Sequence, residues 1–142
     1  MRFAIFRLFV FCLFLASSTA LHCAAQDPAA QRDAAPPGET LRRARTLYVE
    51  PGRAVDAEYL QYKLLRTDAF TDWSISIVED RVAADLILAV EQVRLNYIFR
   101  VTDPHTSQIL VSGKVVAIND PVAADLLGKE IVKRMRDARR AR

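Results

Sequence analysis

The amino-acid sequence predicts an α+β fold, a two-layer sandwich in which two helices pack on one face of a mixed, mostly antiparallel sheet. Three observations predict it: apolar residues alternate in short runs typical of strands, they recur at helical spacing in two other segments, and turn residues separate these runs. The predicted order of elements is β-α-β-β-β-β-α. About 100 residues, 41–142, carry these patterns, which is enough for a single domain.

The first three elements are a strand, a helix and a second strand. Residues 46–49 (TLYV) are rich in strand formers and end at a Pro-Gly turn signal. Asp56 can cap a helix over residues 57–66, whose apolar residues share one face. The pattern breaks over residues 67–72, and residues 73–78 then alternate, which predicts a half-buried strand. We expect the first strand to pair inside the sheet, because a crossover leads away from it.

Three further strands follow. Residues 86–90 (LILAV) predict a strand covered on both faces, although a buried helix fits the same run. Residues 97–101 alternate, and a turn at 103–107 leads to a return strand over 109–118. Neither Gly nor Pro marks the connection between residues 93 and 97, so one long, bent strand over 86–103 is the alternative.

A final helix is predicted after Asn119-Asp120-Pro121, which combines capping residues with a proline suited to the first turn. Its apolar residues Ala124, Leu127, Ile131 and Met135 recur at helical spacing.

The amino-terminal segment, residues 1–25, has the features of a cleavable secretory signal peptide. Arg2 and Arg7 flank the start of a short apolar run, and no acidic residue occurs in the segment. Cleavage is expected after Ala25, or alternatively after Ala20, because small residues precede both positions. We therefore expect an exported protein, periplasmic or secreted.

Two alternatives to cleavage stay open. Residues 8–25 are 18 uncharged residues, the lower limit for a membrane-spanning anchor, although the second half of the segment is mostly small and polar. Cys23 could instead carry a lipid, but His22 stands where a lipidation signal has a small residue. We expect cleavage, and no transmembrane segment in the mature protein.

Residues 26–40, rich in Ala, Pro and small polar residues, are expected to form a disordered linker before the domain at 41–142.

Cleavage of the leader would also change the composition of the mature chain. Removing residues 1–25 takes away both cysteines and leaves 18 basic and 17 acidic residues. A mature chain without cysteine has no disulfide, no thiol nucleophile and no cysteine-based metal site.

Two stretches resemble small exported bacterial envelope domains: residues 78–88 (VEDRVAADLIL) and residues 101–113 (VTDPHTSQILVSG). In those domains an acidic turn and an Ala-Asp pair introduce a central strand, and a hairpin carries the pattern V-x-D-x-x-T-G-x-x-L-W-x-G. Ser107 and Val111 stand at the glycine and tryptophan positions of that pattern.

The element order is similar to that of the amino-terminal domain of the Tol translocation protein, of curli-export lipoproteins and of lipoprotein activators of penicillin-binding proteins. The resemblance covers most of residues 45–135. It implies a periplasmic or surface binding module and brings no catalytic residues with it.

Candidate catalytic groups are few. His105 is the one histidine outside the leader, and with Asp103 it could act as a metal ligand or as an oriented base, but a zinc site needs three or four ligands. A solvated turn histidine is the simpler interpretation. Ser74, Ser76 and Ser112 fall in predicted strands, and no G-x-S-x-G motif is present. We expect no catalytic, metal or cofactor site, and hence no enzyme.

Carboxylate pairs and glycine-lysine pairs are also weak candidates. Asp80 with Asp85, or Asp120 with Asp125, could serve acid-base chemistry, but Asp80 is more simply a turn residue and Asp120 a helix cap. The Gly-Lys pairs at 113–114 and 128–129 lack the remainder of a phosphate-binding loop.

Positive charge concentrates at the carboxyl end of the chain. Residues 129–142 hold seven basic and two acidic residues, whereas residues 26–128 hold 11 basic and 15 acidic residues. These cations could contact an anionic surface, or they could simply complement the helix dipole and remain solvated. The candidate contact residues are Lys133, Arg134, Arg136, Arg139, Arg140 and Arg142.

The expected function is that of a non-enzymatic envelope protein, a binding or accessory module for a protein or cell-wall partner. One alternative is a binder of anionic membrane surfaces acting through the basic last helix. Another is a small hydrolase or metal-binding enzyme. Nucleic acid is not an expected partner, because an exported chain without an aromatic stacking platform is a poor match for it.

Overall fold

The structure is a computed structural model that describes residues 35–141. The expected signal peptide, both cleavage positions, Cys23 and most of the expected linker lie outside the described residues, as does Arg142.

The described chain is an α+β sandwich, as predicted, with a five-stranded mixed sheet. Its helices and strands, in chain order, are α1 (Pro37–Arg43), β1 (Thr46–Val49), α2 (Ala57–Leu65), α3 (Asp68–Asp72), β2 (Ser76–Ile77), β3 (Leu86–Val93), β4 (Asn96–Thr102), β5 (Ile109–Val116) and α4 (Asp120–Arg140). A short 3₁₀ turn, Arg81–Ala83, precedes β3.

The strand order in the sheet is β2-β1-β3-β4-β5. Strand β1 is parallel to both of its neighbours, whereas β3, β4 and β5 form an antiparallel meander. The longer pairings are the antiparallel ones, so the sheet is mixed and mostly antiparallel. The prediction that β1 pairs inside the sheet is confirmed.

Two helices beyond the predicted pair are present. Helix α1 begins at Pro37, inside the segment expected to be a linker; it packs against α4 and places the fully buried side chain of Leu41 in the core. Gly38 allows this close approach, because a Cβ there would lie 2.5 Å from the Ala138 carbonyl oxygen. Helix α3 occupies the segment where the pattern breaks and buries Phe70 in the core. The order β-α-β-β-β-β-α therefore omitted α1 and α3.

The second predicted strand, residues 73–78, is much shorter than expected. Only Ser76 and Ile77 pair with β1, and Trp73 instead ends α3. Ser74 therefore lies in a loop with a φ of 54°, not in a strand.

The connection between β3 and β4 is a tight hairpin, so the alternative of one long strand is wrong. Val93 pairs with Asn96, and Arg94 makes the reversal possible by adopting a φ of 58°, in the left-handed region. The run at residues 86–90 is a strand and not a helix, and Leu86, Ile87 and Leu88 are all buried, as expected of a strand covered on both faces.

Helices α1, α2 and α4 supply the layer that covers one face of the sheet. Tyr97, Phe99 and Val101 of β4 all point into that layer and are at most 1% exposed, which confirms the predicted alternation. The Asp56 carboxylate accepts a hydrogen bond from the Tyr59 amide at 3.1 Å and so caps α2 as predicted.

Candidate functional site

Asp103 and His105 lie in the turn between β4 and β5, where Asp103 organises the backbone. Its Oδ1 accepts the His105 amide hydrogen at 2.8 Å, and its own amide donates to the Gln108 carbonyl at 3.0 Å. Only 8% of Asp103 is exposed. The carboxylate therefore bonds to the main chain of His105 and gives the turn its shape.

Asp85 joins the starts of β1 and β3. Its Oδ2 accepts the amide hydrogens of Arg45 at 2.7 Å and Thr46 at 3.0 Å, and the Thr46 hydroxyl accepts the Asp85 amide hydrogen at 2.8 Å. Burial acts to raise the pKa of Asp85, but these hydrogen bonds to the charged form outweigh it, so the pKa lies below its ordinary value. Asp85 is thus a structural link between two strands.

Two shallow depressions of about 440 Å³ and 200 Å³ meet at this end of the sheet and share Asp103 and His105. Arg81 borders the larger one, and Asp85 borders the smaller one. Within residues 35–141, no three side chains of His, Cys, Asp or Glu are grouped so as to hold a metal ion.

The predicted carboxylate pairs are divided among separate structural tasks. Asp80 accepts the Val82 amide hydrogen at 2.8 Å and caps the 3₁₀ turn. Asp120 accepts the hydroxyl hydrogen of Tyr97 at 2.9 Å, and Asp125 forms an ion pair with Lys63 at 2.6 Å. The pKa of Tyr97 is raised, first by burial and then by Asp120.

The cap of α4 is Asn119, whose side-chain oxygen accepts the Val122 amide hydrogen at 3.1 Å. The expectation that Asp120 caps this helix is therefore corrected by one residue. The Gly-Lys pairs at 113–114 and 128–129 lie within β5 and within α4, respectively, and not in a loop between a strand and a helix.

Five of the six predicted basic contact residues lie within the described residues, and their surroundings differ. Arg139 points inward, where its guanidinium lies 4.9 Å from the centre of the Trp73 ring and donates to the Leu41 carbonyl. Arg134 forms an ion pair with Glu130 at 2.7 Å. The three residues that share one exposed line of α4 are Lys133, Arg136 and Arg140.

Sequence reasoning left Lys129 out of the list of contact residues, although it continues the line of Lys133, Arg136 and Arg140. The spacing of four, three and four residues from 129 to 140 was the available signal. The inward direction of Arg139 was not readable from that spacing, because it depends on Trp73 at the end of α3.

Strand β5 forms one edge of the sheet over eight residues, and no other strand among residues 35–141 pairs with its outer side. The opposite edge, β2, has only two residues. Along β5, Ile109 is 52% exposed and Val116 is 61% exposed. An edge strand presents backbone donors and acceptors that can pair with another strand, and natural proteins usually protect such edges.

A cluster of exposed aliphatic side chains adjoins the end of β5, and we name it the apolar tip: Val93, Leu95, Val116 and Ile118. Asn96 pairs with both Val93 and Val116, and the Ala117 amide donates to the Leu95 carbonyl at 3.1 Å. Ile118 is 81% exposed. Exposed aliphatic residues brought together in this way mark interaction surfaces more often than isolated ones do.

Comparison of the chain with protein-family models, with curated proteins and with solved structures found no match. Among the helices described for residues 35–141, none has both the length and the apolar character needed to cross a membrane.

Proposed function

We propose that this protein is an exported, non-enzymatic binding module that pairs an extended segment of a partner protein with strand β5. The observation that carries the proposal is the eight-residue edge strand that ends beside the apolar tip. In strand addition, backbone hydrogen bonds supply affinity, and apolar contacts beside the edge supply specificity.

The shape of the edge supports this binding mode. Lys114, at the middle of β5, is the only charged side chain of the strand. The preceding residue along the strand, Gly113, faces the core and pairs with Phe99 of β4. Because Gly113 has no Cβ, the ring of Phe99 fits against its backbone. The pairing of β5 with β4 shifts in register between Val101 and Thr102, so Leu110 has no partner on β4. The regular part of the edge that an incoming strand meets therefore runs from Val111 to Val116 and ends at the apolar tip.

The surroundings of His105 support a role without catalysis. The nearby carboxylates of Asp103 and Asp85 accept backbone hydrogen bonds, so they are engaged in holding the turn and the two strands together. A base and its orienting group would need a hydrogen bond between side chains. Export rests on residues 1–25, which lie outside the described residues.

Photo-crosslinking in the cell that makes the protein tests the proposal. The full chain would carry a photoreactive amino acid at Lys114 or Val116, or, as a control, at Glu58 on the exposed surface of α2. We expect a crosslinked product of one reproducible size from the two β5 positions and none from Glu58.

A second variant links the product to the apolar tip. The double substitution Leu95→Asp and Ile118→Asp places charges on side chains that are 52% and 81% exposed, so folding should be nearly unaffected. We expect it to abolish the crosslink from Lys114. Equal crosslinking from Glu58, or a crosslink that survives the double substitution, would refute the proposed site. A product consisting of two copies of this chain would show self-association instead.

A further inference from the structure

Helix α4 carries six exposed side chains along a single line. Going from its amino end, the line comprises Val122, Leu126, Lys129, Lys133, Arg136 and Arg140. Successive members are four or three residues apart, the spacing that keeps side chains on one face of a helix. We name the four cations, Lys129, Lys133, Arg136 and Arg140, the basic stripe.

Ion pairs do not neutralise the basic stripe within the described chain, although the Asp125 carboxylate lies within electrostatic reach of Lys129. Within residues 35–141, none of its four side chains takes part in an ion pair. Two of the three acids that follow Pro121 on α4 have other partners: Asp125 is bound by Lys63, and Glu130 is bound by Arg134. The third is Asp137. The stripe therefore presents a net positive surface to its surroundings.

Helix stability does not account for this arrangement. Like charges three or four residues apart repel each other, so the stripe weakens the helix that carries it. The helix dipole favours cations only within the last turn. Arg140 lies in that turn, but Lys129 and Lys133 lie well before it. An external anionic surface would offset the repulsion among all four cations.

We infer that the basic stripe docks on the surface of an anionic lipid bilayer, with Val122 and Leu126 turned toward the acyl chains. The four cations span about 16 Å of helix, and the two aliphatic residues extend the same line. All four cations lie on the exposed side of one helix, so the surface is suited to a flat array of lipid phosphates. This contact is independent of the proposed pairing along β5.

Vesicle co-sedimentation of the full chain tests the inference. Binding would be compared between vesicles of phosphatidylcholine alone and vesicles that also contain phosphatidylglycerol, at low and high salt. In the stripe variant, Lys129, Lys133, Arg136 and Arg140 are all replaced by Gln. Because each cation near an anionic surface strengthens binding about five-fold, we expect this variant, which lacks four of them, to lose roughly 600-fold of the preference for anionic vesicles.

A charge-matched control separates the stripe from net charge. The control variant also loses four positive charges, but none of them is on α4. The residues replaced by Gln are Arg53, Arg81, Arg94 and Arg100. We expect it to keep most of the preference for anionic vesicles, and we expect added salt to weaken wild-type binding through screening.

Three results would overturn the inference. The first is an equal loss in the stripe and control variants, and the second is a wild-type preference that does not respond to salt. The third is binding of the wild-type chain to soluble polyglutamate without any preference for anionic vesicles, which would indicate an acidic protein partner instead of a bilayer.

Discussion

Arg42 and Arg139 each donate a hydrogen bond to the backbone of the helix that carries the other. The Arg42 guanidinium donates to the Arg139 carbonyl, and the Arg139 guanidinium donates to the Leu41 carbonyl. The two arginines are 97 residues apart in the sequence. These two reciprocal hydrogen bonds join α1 to the last turn of α4. The ring of Trp73, which follows α3, also lies against the Arg139 guanidinium.

Replacing Arg139 with Met should destabilise the fold by about 1 kcal/mol, because it removes the hydrogen bond to Leu41 and the contact of the cation with Trp73. Burial of the cation and repulsion from Arg45 and Arg42, which lower the pKa of Arg139, offset part of this stabilisation. Urea unfolding would show a lower midpoint at an unchanged m-value. Arg136→Met, on the exposed line of the same helix, should stay within about 0.5 kcal/mol of wild type. Equal losses in the two variants would show that the reciprocal contact contributes nothing.

Asp85→Asn should make stability depend less on acid pH. Burial acts against the charged form, yet hydrogen bonds from Arg45 and Thr46 leave the pKa of Asp85 below its ordinary value. A lowered folded-state pKa adds stability that is fully present above the unfolded pKa of about 3.9 and is lost as pH falls through the folded pKa.

The variant should therefore be less stable than wild type at neutral pH, by about 1 kcal/mol, because the amide is a weaker acceptor for two amide hydrogens. The difference in the free energy of unfolding between the two proteins should be constant down to about pH 5 and should shrink below about pH 4. Denaturant unfolding across this range measures it. A gap of the same size at every pH would contradict the assignment of the charge effect to Asp85.

Gly113→Ala should destabilise the sheet by about 1–3 kcal/mol, because the added Cβ would lie 2.7 Å from Cε1 and 2.8 Å from Cζ of Phe99. Gly52→Ala is the matched control, since its nearest neighbour is the Val90 carbonyl oxygen at 3.5 Å. Thermal unfolding compares the two. The cost of Gly113→Ala should fall in a Phe99→Leu background, and an undiminished cost there would mean that the Phe99 ring is not the cause.

Ser107→Gly should stabilise the protein by about 0.5–1 kcal/mol. Ser107 has a φ of 57°, which strains any residue with a Cβ and which glycine adopts freely, although glycine also raises the entropy of the unfolded chain. Ser112→Gly, in the extended backbone of β5, should lower stability instead. A lower melting temperature for Ser107→Gly would contradict the strain argument.

Local patterns were sufficient wherever an element carries its own signal. The Asp56 cap fixes the start of α2, the alternation of Tyr97, Phe99 and Val101 fixes the faces of β4, and the Asn119-Asp120-Pro121 sequence marks the start of α4. These signals depend on neighbouring residues in the chain, through backbone geometry and the period of the side chains. They were enough to predict the α+β class.

The tertiary structure alone decided which segments become ordered by contact with distant ones. Residues 37–40 have a composition typical of linkers, yet they form part of α1 because Gly38 and Leu41 fit against α4. The alternating pattern predicts that Trp73 belongs to a strand, but Trp73 is the residue that ends α3. Its ring contacts the guanidinium of Arg139, which lies near the carboxyl end of the chain. A short segment gains most of its stability from packing, and its packing partners are not adjacent in the sequence.

The same distinction holds for the surfaces. The sequence by itself determined that the cations of this protein gather at its carboxyl end, and their spacing determined which of them share a helix face. Only the tertiary structure decided that Arg139 turns inward while Lys129, Lys133, Arg136 and Arg140 remain exposed, and that β5 lies at an edge with Ile118 beside it. Strand order and burial result from long-range contacts, which spacing along the chain does not encode.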